Sequence, residues 1–223
     1  MSKRTFHYHI THPKDPGSAI THFIGVILVL LASLPLLYRA AGEEQPVYLL
    51  SMGIFALSMF FLYSASTIYH TFNVSEKVNC VLRKLDHIMI YLLIAGTYTP
   101  ICLISLRDGG GITLFLLVWG VAFLGILQCV FFINCPKWVS AVLYIIMGWL
   151  CVFSFTDIVA LLNKTAFLWL LTGGIIYTIG GILYACKFPI FNRIHKNFGS
   201  HEIFHCFVLA GSLCHFITMY HLF

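Results

Sequence analysis

Charge is what this sequence lacks most. Asp, Glu, Lys and Arg make up 9% of its 223 residues, against about 25% in a soluble domain. That deficit excludes an ordinary soluble fold. Also missing are any internal repeat, any low-complexity run and any polar stretch long enough to form a separate soluble domain. The eight cysteines (Cys80, Cys102, Cys129, Cys135, Cys151, Cys186, Cys206 and Cys214) contain no C-x-x-C pair and fall mostly inside apolar stretches. A buried cysteine behaves as a small apolar residue, so neither disulfides nor other chemistry is assigned to them.

What is abundant is apolar: 60% hydrophobic and 16% aromatic residues, with a mean hydropathy of +0.91. These residues fall into seven blocks, at 19–41, 47–72, 85–106, 112–133, 138–162, 166–186 and 201–223. Each is near the ~20 residues that a helix needs to cross a bilayer core. The reading is an all-α bundle of seven transmembrane helices spanning 19–223, behind a short polar tail at 1–18. At roughly 23 residues, the first block is too long for the 7–15-residue core of a signal peptide, and six spans follow it. It is read as retained.

The net charge of +5 does not point to nucleic acid once the charges are placed. One side of the membrane takes the N-terminus and the loops after the second, fourth and sixth spans. It carries Lys3, Arg4, Lys14, Lys77, Arg83, Lys84, Lys137, Lys187, Arg193 and Lys196, and the other side carries Arg39, Arg107 and Lys164. Loops rich in Lys and Arg stay in the cytoplasm. The N-terminus is therefore expected inside and the C-terminus outside.

This orientation gives depth to the polar residues. The seventh block opens with His201 and His205, which at i and i+4 share one helix face. Alone the pair is weak, because eleven histidines in this length give about 0.5 such pairs by chance. Span two ends with Ser66 and His70, again one turn apart, and span three opens near Asp86. His70, Asp86, His201 and His205 then lie within a turn or so of the inner surface, on three different helices, with Ser66 one turn deeper than His70. None of them entered the charge count that oriented the chain.

Ionisable side chains inside a membrane are costly and mark function. Three imidazoles from His70, His201 and His205, with a fourth position open, describe a catalytic zinc site. Asp86 then suits the role of holding the water or accepting its proton, and Ser66 that of donor to the water or to a developing oxyanion. Each residue also has a plainer reading. A histidine at a helix end commonly sits at the interface, and Asp86 could pair with Arg83 or Lys84 where the dipole of a helix start favours an anion. His22 reads as a helix-end or outer-shell residue, and His87 as turned about 100° from Asp86. His215, about 15 Å beyond His205, reads as a packing residue, and His221 as interfacial. His7, His9 and His12 belong to a solvated tail. Asp157 reads as interfacial, and the glycines of spans six and seven as packing.

Several stretches resemble the hemolysin III family of bacterial membrane proteins: ITHFIG, STIYHTF, LDHIMIYLLIAGTYTP and HEIFHCFVLAGSLCHF. That family is related to the progestin and adipoQ receptors, which include the adiponectin receptors. The resemblance covers residues 18–223. It implies seven helices in the plasma membrane and one zinc on His70, His201 and His205, with Asp86 holding the water and Ser66 beside it. Phe23 and Phe204 stand where Gly and Trp are expected in many members. Alkaline ceramidases in the wider superfamily imply hydrolysis of a lipid amide, with a membrane lipid as substrate or ligand. Two other functions stay open: a regulator or sensor of membrane fluidity in which zinc is structural, and a cytolytic pore, although no span shows a regular polar stripe.

Overall fold

The computed structural model describes residues 13–132, 136–186 and 199–223. Most of the N-terminal tail, with His7, His9 and His12, lies outside these residues, as do Cys135, Lys187, Arg193 and Lys196. The first two spans are α1 (Pro16–Ala41) and α2 (Pro46–Thr71). The third is α3 (Glu76–Pro100), continued by a π-helical turn over Ile101–Ser105, and the fourth is α4 (Gly111–Phe131). The fifth is divided into α5 (Lys137–Gly148), a 3₁₀ turn (Leu150–Ser154) and α6 (Phe155–Leu161). The last two are α7 (Lys164–Cys186) and α8 (Ser200–Tyr220). All seven spans are long and apolar enough to cross a membrane. Large apolar side chains such as Leu34 and Phe153 face outward, as a lipid-solvated surface requires.

Pro16 and Pro46 open their helices at the first-turn position, where a missing N–H costs nothing. α3 begins well before the expected 85, inside the stretch read as a polar loop. Ser75 caps it by accepting from the amide of Val78, and Glu76 follows in the first turn. Asp86 therefore sits ten residues, about 15 Å, inside the helix. The pairing of Asp86 with a helix start is thereby removed, and Lys84 instead reaches the carbonyl of Val130.

The fifth span breaks because Tyr98, on α3, enters its hydrogen-bond ladder. The phenol donates to the carbonyl of Gly148 at 2.6 Å and accepts from the amide of Cys151 at 2.9 Å. Backbone groups freed within a bilayer must be satisfied by a neighbour, and here one hydroxyl serves both. The indole of Trp149 anchors the same break to Thr178 on α7 at 2.9 Å. Helix α1 packs on α2 and α8, α2 on α3, and α7 on α8. That arrangement brings the starts of α1, α3 and α8 and the end of α2 together at one end of the bundle, termed here the proximal end.

Candidate metal centre

At the proximal end His70 of α2 and His201 and His205 of α8 converge. One ring nitrogen from each lies within 4.8 Å of the others. His70 and His205 are buried and His201 is half-buried. The Nε2 atoms of His201 and His70 are 3.3 Å apart. Two ligands of a tetrahedral zinc with bonds of ~2.0–2.1 Å are also roughly 3.3 Å apart. The spacing of these two nitrogens thus fits such an ion.

His70 is oriented from outside the cluster. The residues before α1 pair with the end of α2, where helix carbonyls lack partners: the amide of Asp15 donates to the carbonyl of His70 at 2.9 Å, and that of Lys14 to Thr71 at 3.3 Å. The same step sets the Asp15 carboxylate 3.0 Å from His70 Nδ1. This hydrogen bond holds the Asp15 carboxyl below the usual carboxylate range. An ionised carboxylate only accepts, so Nδ1 carries the proton and Nε2 turns a lone pair to the cluster. Asp15 is the site residue missed in the sequence, where it sits in a polar tail with no helical period to mark it.

His22 proves more intimate with the site than its expected outer role. It is 3% exposed and its ring stacks on that of His205, with centroids 3.7 Å apart and planes inclined by 14°. Neither of its buried nitrogens makes a geometrically sound hydrogen bond among the described residues. Thr21 approaches the edge of His205, 3.4 Å from Nδ1.

A cavity of about 550 Å³ leads away from the histidines between α3, the fifth span, α7 and α8. Its proximal wall holds Ser66, Asp86 and the three histidines, and its remaining wall is mostly apolar, with Ile94, Ile101, Phe155, Ile158 and Leu170 interrupted by Thr97, Tyr98, Thr178 and His215. Ser66 is 1% exposed and Asp86 is half-buried. His87 also reaches this wall, 3.4 Å through Nδ1 from the Tyr144 hydroxyl, outside the three-histidine group. His215 is buried against Tyr177, well separated from that group, and His221 is exposed at the far end. Phe23 points outward at 53% exposure, whereas Phe204 lies against Tyr184 with ring centroids 4.8 Å apart.

Fold and site together define a multi-pass membrane protein with a candidate three-histidine metal centre inside its bundle. Residues 10–216 match the family model described as haemolysin-III related, and the chain belongs to that family. It is 37% identical over 209 residues to the hemolysin-3 homolog of Bacillus subtilis, covering 94% of each chain. It is 39% identical over 206 residues to hemolysin-3 of Bacillus cereus, covering 92% of this chain and 90% of that one. The adiponectin receptor protein of Drosophila melanogaster is 25% identical over 226 residues, 91% of this chain and 49% of its own. Family and spans make the chain a protein of the plasma membrane.

Proposed function

We propose that this protein is a zinc-dependent hydrolase of membrane lipid amides, with its N-terminus and metal centre toward the cytoplasm. One observation carries the reading: the three-histidine cluster closes the polar end of a cavity whose remaining length is mostly apolar. An amphiphile suits that shape, its linkage at the histidines and its acyl chain along the apolar wall. His70, His201 and His205 would hold the zinc, which when bound would supply Lewis acidity and lower the pKa of a bound water to ~7. Asp86 accepts the proton of the attacking water and returns it to the leaving amine. Ser66 donates a hydrogen bond to the carbonyl oxygen as negative charge gathers there. The apolar wall binds the chain and keeps bulk water from the carbonyl.

The test is release of free fatty acid, read by mass spectrometry, from N-acylated lipids presented to purified protein in micelles. Wild type releases fatty acid, while D86N and H205A lose at least 100-fold. Release that survives both substitutions, or none from any amide or ester lipid by a zinc-loaded protein, refutes the hydrolase. The receptor name of the Drosophila relative supports a second reading, a lipid-occupied regulator in which the metal is structural. There D86N leaves cellular function intact while H205A removes it. The hemolysin name of the Bacillus cereus relative suggests cytolysis, which predicts conductance in planar bilayers.

A further inference from the structure

Two of the three imidazoles are held at Nδ1 by side chains of the same short segment at the start of α1. Asp15 contacts His70 at 3.0 Å and Thr21 contacts His205 at 3.4 Å. The hydroxyl proton of Thr21 is already committed. Oγ1 donates back along its own helix, to the carbonyls of Ser18 at 2.9 Å and Gly17 at 3.0 Å. A lone pair is left to face His205, and the Ser18 carbonyl, which can only accept, is a further partner of the same ring, so these surroundings favour the tautomer with the proton on Nδ1 and the free pair on Nε2. Asp15 dictates the same tautomer at His70. His22, one residue on, lies flat on the His205 ring and limits its tilt.

The segment is itself fixed at both ends. Asp15 is tied to α2 through its amide, as described above. Ser18 donates to Glu202 Oε1 on α8 at 2.7 Å, and Glu202 Oε2 accepts from the amide of Gly199, the residue just before α8. Helix α1 thus bridges the two helices that carry the histidines, although it contributes no member of the cluster.

We propose that Asp15 and Thr21 are positioning residues that set the metal affinity of the centre by locking His70 and His205 in the Nδ1–H tautomer, with Nε2 directed inward. The proposal rests on the metal-centre reading. Partners of this kind commonly change metal affinity by about 10–100-fold when removed.

The experiment measures zinc affinity by chelator competition on purified protein in micelles, for wild type and for T21V, T21S, D15A, S18A and H205A. Histidine ¹⁵N NMR of the metal-free protein reads the tautomers. We expect T21V and D15A to weaken zinc binding by 10–100-fold, and T21V to mix the tautomers of His205. T21S keeps the acceptor and should restore both readouts. S18A removes the side-chain bond from α1 to Glu202 while keeping the Ser18 carbonyl beside His205, and should leave affinity within about twofold of wild type. If wild type and H205A bind zinc equally, the metal centre is wrong. If H205A alone loses zinc while T21V and D15A match wild type, the centre stands and the positioning role is overturned. A loss in S18A as large as in T21V reduces the effect to general loosening of α1 and overturns it equally.

Discussion

Gly173 lies so close to His215 that a Cβ built there would come within 2.8 Å of the imidazole Nε2. Its neighbour Gly174 would meet nothing within 4 Å and borders the cavity. Two adjacent glycines on α7 therefore have opposite roles, one making room for a buried ring and one leaving space open.

The difference is measurable. G173A forces the buried His215 ring to move and should cost about 1–3 kcal/mol, the usual range for overpacking, read as a lower unfolding midpoint in detergent. G174L should leave the midpoint within the ~0.5 kcal/mol typical of unconstrained sites. It should instead shorten the acyl chains retained by the purified protein. Equal stability of G173A and wild type, or unchanged chain length in G174L, contradicts this assignment.

Metal content should follow the histidines. Wild-type protein is expected to carry about one zinc per chain, and H70A, H201A and H205A little or none. H215A and H221A should retain it. Ligand imidazoles bind only when deprotonated, so zinc should be released on acidification. Zinc retained by all three ligand variants would dissolve the site.

Y98F removes the hydroxyl shared by the Gly148 carbonyl and the Cys151 amide. Each buried backbone group left without a partner costs about 1–3 kcal/mol. The variant should unfold at a lower temperature yet keep its zinc, since no ligand resides on α3 or the fifth span. An unchanged midpoint would show that the ladder repairs itself without the phenol.

Topology is checked by fusion. A periplasm-active reporter joined after Phe223 should give signal, and the same reporter joined after His70 should give none. The reverse pattern would invert the orientation drawn from Lys and Arg.

The seven spans and the meeting of His70, His201 and His205 were legible because both rest on local regularities. Apolar length marks a span, and loop charge sets which end of each span shares a depth. The early start of α3 was hidden because hydropathy reports where a helix leaves the hydrocarbon, not where it stops being helical. Lys77, Arg83 and Lys84 mark that exit. Asp15 and Thr21 escaped for another reason. Their partners lie 55 or 184 residues away, and only the packing of α1 between α2 and α8 brings them there. The break at Gly148 was equally invisible, since its cause is a tyrosine on another helix.

That break has a mechanical consequence. The cluster histidines and their α1 supports occupy α1, α2 and α8, while the divided fifth span forms a different wall of the same chamber. At the break a phenol from α3 bridges its two halves and an indole ties the joint to α7, where the regular run of helical backbone rungs is interrupted. Flexing at that joint would change the girth of the chamber without moving the helices that carry the imidazoles, so the two ends of the chamber would be separately adjustable.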